Sequence, residues 1–124
     1  MLLIVGLLLT FVVFFVIILG NINTSSFQTV YVYKNFISLR SLVISGLRYA
    51  LFQINQDPNF VTSSAQVNMP QGYFIYSVAT TNDIFVKKIT VQANLTSSGL
   101  SKILQATTTI NASGTILFLD VSEQ

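Results

Sequence analysis

The hydrophobic and polar positions of the chain divide it into one long apolar stretch and several shorter, patterned ones. Residues 1–20, MLLIVGLLLTFVVFFVIILG, contain no charged side chain, and the first charged residue in the chain is Lys34. A helix of this length rises about 28 Å, close to the ~30 Å hydrocarbon core of a bilayer. We therefore expect residues 1–20 to form an apolar helix that crosses a membrane or is buried in a filament core.

A polar interruption follows this apolar stretch. Residues 20–26, GNINTSS, consist mainly of poor helix formers. We expect the helix to weaken, melt or bend here, which predicts a soft joint between two helical segments.

Residues 27–55 show the period of an amphipathic helix. Polar and apolar side chains each recur every three or four positions, on opposite sides of the predicted helix. Asp57-Pro58 ends the pattern, because the residue before proline is disfavoured in the helical region. We interpret residues 1–56 as one long helical unit with its two halves roughly in line; an independent second helix in a separate fold is the alternative. The polar stripe is Lys34, Ser38, Ser41, Ser45 and Arg48, and the apolar stripe is Phe36, Leu39, Val43, Leu47, Ala50 and Ile54.

The remaining residues, 57–124, change to the pattern of β-strands. Strand formers separated by clusters of Gly, Ser, Asn and Asp indicate successive hairpins. The connector at residues 59–71 is polar and contains at most one weak strand. We predict an α+β fold in which a four-stranded antiparallel meander packs on the apolar stripe of the helix, because so small a sheet has a thin core by itself. The predicted strands are residues 73–80, 84–95, 102–110 and 115–121.

Composition limits the functions that are open to the chain. Its 124 residues contain six basic and four acidic side chains, and neither His nor Cys. The basic residues are scattered rather than clustered, which argues against a nucleic-acid partner. Without His and Cys the chain lacks the commonest general base, thiol nucleophiles, disulfides and the usual zinc or haem ligands. We expect no enzyme activity, no cofactor and no metal site.

The apolar N-terminus differs from a secretory signal peptide and from an ordinary signal anchor. No basic residue precedes the apolar run, the run is longer than a signal-peptide core, and no good small-x-small cleavage site follows. A signal anchor would normally carry flanking Lys or Arg to set its orientation. Removal of a leader during maturation explains the missing basic flank, and Met1 would then be a mature end.

The order of these elements resembles that of the type IV pilins and their pseudopilin relatives. The resemblance covers the whole chain, from the apolar helix headed by MLLIVGLLLTFVVFFVIILG through the joint and the amphipathic continuation to the β domain. It implies a prepilin leader that a dedicated membrane peptidase removes before Met1. It also implies a subunit held in the cytoplasmic membrane, then extracted by an ATP-driven assembly machinery and stacked so that the apolar helices form the filament core.

Three features depart from the bacterial pattern of this family. Most bacterial type IV pilins have Glu at the fifth mature position, where the carboxylate is thought to pair with a neighbour's terminal amine, and this chain has Val5. A C-terminal cysteine pair and a proline at the joint are also missing. Absence of the Glu is typical of certain minor tip subunits and of archaeal pilins, whereas the helix-covered meander is typical of bacterial ones, so the source stays open.

The candidate residues for processing and assembly lie on the apolar helix. Moving such a helix from lipid into a protein core changes its polarity little, so close van der Waals packing has to supply specificity. The candidates are Met1, Val5, Phe11, Val12, Phe15 and Gly20.

Three Asn-x-Ser/Thr sequons, at Asn23, Asn94 and Asn111, are candidate glycosylation sites. In a chain this rich in Ser, Thr and Asn, such triplets also arise by chance. An archaeal source would favour modification, because archaeal pilins that resemble this chain are often decorated at such triplets.

The leading functional hypothesis is a structural pilin subunit of a type IV pilus-like extracellular filament. Its partners would be other copies of itself, the membrane before assembly, and the prepilin peptidase with the pilus assembly machinery. One alternative is a minor pilin or pseudopilin of a secretion system. Another is a monomeric membrane-anchored binding module.

Overall fold

The computed structural model contains one long helix and one antiparallel sheet, so the predicted α+β class is confirmed. It describes residues 2–123, with side chains for residues 4–123. The elements in chain order are α1 (Leu2–Gln56), β1 (Thr62–Met69), β2 (Gly72–Thr80), β3 (Val86–Leu95), β4 (Ser101–Ile110) and β5 (Ile116–Glu123).

The chain forms two compact units. The first contains the residues up to Lys34, which lie on α1, and the second contains the rest of α1 together with the sheet, from Asn35 onward. This division differs from the division by element at residue 56 that the sequence predicted. The reason is that the second half of α1 supplies buried side chains to the core of the sheet.

The sheet is a meander of five strands in the order β1-β2-β3-β4-β5, and every neighbouring pair is antiparallel. The prediction of four strands is wrong by one, because β1 lies inside the polar connector. The sequence of β1, TSSAQVNM, has few strand formers, and most of its positions are exposed. As an edge strand, β1 is held by its backbone ladder with β2 and needs little apolar surface of its own.

The core lies between one face of the sheet and residues 39–54 of α1. Inward and outward positions alternate along β2, β3 and β4. Phe36 is the one member of the predicted apolar stripe that stays half exposed, at 51%. The buried hydrophobic residues of α1 in the core are Leu39, Val43, Leu47, Ala50 and Ile54 from that stripe, joined by Leu42.

Gly46 allows α1 to approach the sheet closely. A Cβ atom at this position would lie 2.5 Å from Cγ1 of Val91 and 3.0 Å from the ring of Phe74. Glycine, which has no Cβ, is the residue that fits such a crossing. The helix can therefore rest directly on β2 and β3.

A turn at Asp57 ends α1 where the sequence predicts it. The Asp57 amide donates a hydrogen bond to the carbonyl oxygen of Gln53, and the Phe60 amide donates to that of Asp57, each at 2.9 Å. The Asp57 carboxylate accepts a third bond, from the amide of Asn59. These bonds satisfy backbone groups that the end of the helix leaves free, before the chain enters β1.

Candidate assembly surface

The first surface of interest is the apolar segment, residues 4–19 of α1, whose side chains are all exposed. Within it, Val5, Phe11, Val12 and Phe15 are between 52% and 71% exposed. Thr10, the one hydroxyl in the segment, donates to the carbonyl oxygen of Leu7 at 2.8 Å, so the helix satisfies it. By its length and composition α1 is able to cross a membrane. Met1 lies outside the described residues.

Part of the apolar segment forms a shallow groove. Its lining residues, Val5, Leu8, Leu9 and Val12, follow the i, i+3, i+4, i+7 spacing of one helix face. Grooves of this kind receive the side-chain ridges of a second helix. The structure thus brings two of the predicted assembly residues, Val5 and Val12, onto one face.

The other predicted assembly residues on the helix, Phe11, Phe15 and Gly20, do not line this groove. Phe11 and Phe15 are four positions apart, so they are neighbours on the helix surface. Gly20 has no atom of a neighbouring segment within 4 Å of where its Cβ would be. No single face of α1 unites all the candidates, which fits a helix that is apolar around its whole circumference.

The predicted joint, residues 20–26, is helical in this structure, and α1 passes through it without interruption. The expected break in the helix is therefore absent from the chain taken by itself. The hydroxyls of Thr24 and Ser26 donate to the carbonyl oxygens of Gly20 and Ile22, at 2.9 and 3.0 Å. Their polar side chains are thus satisfied inside the helix, where weak propensity alone predicted a loss of structure. Opening of this segment within a filament stays a prediction.

A second apolar surface follows, here called the aromatic segment, residues 27–33 of α1. It contains no charged residue. Successive residues of a helix point about 100° apart, so these side chains surround most of its circumference. A helix that is apolar all round belongs in a core or a membrane. The segment's large apolar side chains are exposed by 54–70%: Phe27, Val30, Tyr31, Val32 and Tyr33.

The third apolar surface is on the edge strand β5. Leu119 pairs with Thr108 and Val121 pairs with Ala106, so both lie on the sheet face that α1 covers. Phe118 lies on the opposite face. The sequence predicted this strand but missed its exposure; the signal was the run of consecutive apolar residues 116–119, which does not alternate as a half-buried strand should. The exposed apolar side chains of β5 are Leu117, Phe118, Leu119 and Val121.

A salt bridge links Glu123, at the end of β5, to Lys102 on β4. Nζ of Lys102 lies 2.8 Å from Oε2 of Glu123, and 5.2 Å from the centre of the Phe36 ring on α1. The hydrogen bond from Lys102, followed by the charge of the same residue, holds the pKa of Glu123 below its ordinary value, and Arg40 lowers that pKa further. These contacts bring the end of β5 close to the side of α1 that carries Arg40.

The three sequons lie in three different local structures. Asn23 is exposed on α1, and Asn94 is half-buried in β3. Asn111 lies in the turn before β5, where its Oδ1 accepts hydrogen bonds from the amides of Ser113 and Thr115, at 3.1 and 2.8 Å. The hydroxyl of Ser113 also donates to this oxygen, at 2.7 Å. Glycosylation at any of the three stays a prediction.

Across residues 2–123, no three His, Cys, Asp or Glu side chains lie close enough together to hold a metal ion. Comparison with protein-family models, with curated proteins and with solved structures finds no match to this chain.

Proposed function

We propose that this chain is the structural subunit of a pilus-like helical filament, which polymerises through α1. Before assembly the subunit resides in the cytoplasmic membrane by its apolar segment, and after assembly it lies in a filament on the cell surface. A prepilin peptidase and a pilus assembly machinery are the partners that this life cycle requires. The proposed role is mechanical, with no catalytic step.

The observation that carries this proposal is the length of exposed apolar surface on α1. From Ile4 to Tyr33 the helix rises about 44 Å, whereas the hydrocarbon core of a bilayer covers about 30 Å. A membrane that covers the apolar segment therefore leaves much of the aromatic segment outside the hydrocarbon. The side chains of residues 27–33 are exposed in the chain alone, so protein is the cover that remains for them.

Packing of α1 against other copies of α1 covers both segments at once. In such a core the groove of Val5, Leu8, Leu9 and Val12 can receive a neighbouring helix. Because lipid and protein cores have similar polarity, the gain comes from dispersion contacts between closely fitting side chains. Val5 in place of a carboxylate also avoids the large cost of an unpaired charge in that core.

A monomeric membrane-anchored module is the second candidate, and one observation favours it. α1 is a single helix able to cross a membrane, and Tyr side chains such as those of Tyr31 and Tyr33 are common where a helix leaves the hydrocarbon. This candidate accounts for the apolar segment. It leaves the side chains of Phe27, Val30 and Val32 exposed to water. For this reason we favour polymerisation.

Electron microscopy of material sheared from the cell surface, combined with mass spectrometry of its subunit, tests the proposal. We expect thin fibres whose main component is this chain, in a form processed by a prepilin peptidase. Protein found only in membranes and unprocessed, with no fibres, would favour the anchored module. A low-abundance component of fibres made from another chain would indicate a minor pilin or pseudopilin.

Charge substitutions in the apolar segment provide a matched test. We expect Val12→Lys and Phe15→Lys to abolish fibres or membrane residence, because a lysine near the middle of an apolar core costs about 2.5–3.5 kcal/mol even in a bilayer. Ser41→Lys places the same charge on the exposed polar stripe of α1 and should leave fibre yield unchanged. Normal fibres from the Val12→Lys chain would contradict the proposal.

A further inference from the structure

We propose that the apolar surface between α1 and β5 is the docking site for the aromatic segment of a second copy of this chain. This inference rests on the proposed function and deepens it, since it names the surface by which one β domain holds the helix of its neighbour. Residues of α1 and β5 from the same compact unit form the receptor, and residues 27–33 of the other copy are the occupant.

The proposed docking surface is open because α1 covers one side of the sheet more fully than the other. On the β1 side, Ala65 and Val67 are half-buried and pack against the core. On the β5 side, Leu119 and Val121 point from the same sheet face but are 37% and 42% exposed. The helix therefore leaves an apolar strip of sheet open beside it, along β5.

The flank of α1 that borders this strip includes two half-buried aliphatic side chains. Lys102 contacts both Glu123, at the end of β5, and the ring of Phe36 on α1. The side of α1 that carries Phe36 and, one turn later, Arg40 is therefore directed towards that strand. Ile44 and Leu51, four and eleven positions later, share this side of the helix and are half-buried. Together with the two β5 residues they define the α1–β5 trough: Ile44, Leu51, Leu119 and Val121.

The chemistry of the trough matches a helix that is apolar and uncharged. Its four lining residues are aliphatic. The charged side chains at its borders are the Lys102–Glu123 pair at one end of β5, and Arg40 and Arg48, which are exposed on α1 one helical turn before and after Ile44. The aromatic segment offers large apolar side chains and no charge over residues 27–33. Each copy thus carries two exposed apolar surfaces, the aromatic segment and the strip beside its sheet.

The two surfaces differ, so the contact between copies is heterologous. A heterologous contact whose rotation does not close into a ring produces an open helical polymer. Each copy would then donate its aromatic segment to one neighbour and receive that of another. Pairing of β5 with β5 of a second copy would be isologous and would stop at a dimer, so it cannot by itself build a filament.

Cysteine pairs test this geometry in the full-length chain, which contains no native cysteine. The test chain carries Leu119→Cys and Tyr31→Cys, is assembled in cells, and is treated with a mild oxidant on the isolated filaments. We expect a ladder of disulfide-linked dimers, trimers and higher multimers on a non-reducing gel. The matched control combines Tyr31→Cys with Thr107→Cys, an exposed position on the outer face of β4, and should give no ladder.

The outcomes separate this inference from the proposed function. Filaments that form normally without a ladder would overturn the docking site and leave the filament assignment standing. Dimers from the single Leu119→Cys chain would indicate β5–β5 pairing and would also overturn it. A wild-type chain that forms no filaments would overturn both.

A lysine at one of two adjacent positions of β5 gives a second test that does not depend on cross-linking. We expect Leu119→Lys to lower the filament yield at least about tenfold, equivalent to about 1.4 kcal/mol per contact. Phe118→Lys changes the more exposed neighbour on the opposite face and should change the yield by less than about twofold. Circular dichroism of both chains in detergent checks that they are folded. Equal losses from the two variants would overturn the trough as the docking site.

Discussion

Gly46 is the residue that sets the distance between α1 and the sheet. The side of Gly46 where another residue would carry its Cβ atom faces Val91 and Phe74. A methyl group placed there would lie only 2.5 Å from Cγ1 of Val91. Apolar periodicity alone places the position on the buried face of the helix, but it does not distinguish glycine from alanine there. The contact that demands glycine comes from β3, which lies far away in the sequence.

We predict that Gly46→Val lowers the free energy of unfolding of the β domain by about 2–3 kcal/mol, the usual cost of forcing extra atoms into a packed core. The measurement is thermal or denaturant unfolding of the full chain in detergent. Ser45→Ala, one position away and only half-buried, is the control and should change the stability by a few tenths of a kcal/mol. Equal stability of the Gly46→Val chain would show that α1 is free to move away from the sheet.

At the same scale, Glu123 makes the stability of the sheet edge depend on pH. The hydrogen bond and charge of Lys102 hold the pKa of this carboxyl below its ordinary value. A carboxyl with a lowered folded-state pKa stabilises the fold above its unfolded-state pKa, and that contribution is lost as the pH falls through the folded-state value.

We therefore predict that Glu123→Gln slightly lowers the melting temperature at pH 7 and that the difference disappears in acid, below the lowered pKa. The effect is small because the pair is at the surface and screened by solvent. Asp120→Asn, which removes an equal charge from the outer face of β5, is the control for net charge. A difference that persists in acid would show that Glu123 acts through something other than its charge.

At the scale of elements, the apolar and aromatic segments are linked by the weakest part of α1. Residues 20–26 form regular helix, although they are poor helix formers and their side chains are exposed. Helical stability in proteins comes mostly from tertiary packing, and the second half of α1 has that packing. Residues 20–26 are held by hydrogen bonds within the helix, and two of these are donated by the hydroxyls of Thr24 and Ser26.

We predict that the amides of residues 21–26 exchange with solvent faster than those of residues 42–50 in the full chain in detergent. Hydrogen exchange followed by mass spectrometry measures this difference, since exposed helix without buried contacts opens at low free energy. Replacing Asn21 and Asn23 by Ala should slow exchange in this segment, because each replacement favours the helix by roughly 0.5 kcal/mol. Equal protection in the two regions would contradict a soft joint in any state of the subunit.

The strands differ in how well their local hydrophobic pattern predicts their structure. The alternation of Ile89, Val91, Ala93 and Leu95 correctly predicts which face of β3 is buried. The same kind of reasoning misses β1, because pairing with β2 through the backbone requires no apolar pattern. It also misses the exposure of β5, since the boundary of the surface that α1 covers depends on where the helix crosses the sheet.

For the whole molecule, the two compact units imply that the β domain does not need the first half of α1 to fold. All of the buried hydrophobic core residues identified in the described chain lie at Leu39 or beyond. The apolar and aromatic segments, which we propose for polymerisation, lie before Lys34 and contribute no buried hydrophobic residue to this core. The folding core therefore includes the second half of α1 and not the first.

We predict that a chain lacking residues 1–34 is soluble, monomeric and folded, with a thermal transition within a few degrees of that of the full chain in detergent. The physical reason is that the deletion removes exposed apolar surface and leaves the core intact. Size-exclusion chromatography and circular dichroism measure the two properties. An unfolded fragment would show that the first half of α1 stabilises the sheet after all.

The sequence by itself determined the features that depend on local pattern. An uncharged run of residues predicts the apolar helix, Asp57-Pro58 predicts its end, and runs of strand formers between turn residues predict four of the strands. Tertiary structure decided the rest: that α1 continues through residues 20–26, that β1 completes the sheet, and that α1 leaves β5 uncovered. The physical reason is that hydrophobic periodicity reports which side of an element is buried, whereas edge pairing and the lateral position of a helix on a sheet depend on contacts between residues distant in the chain.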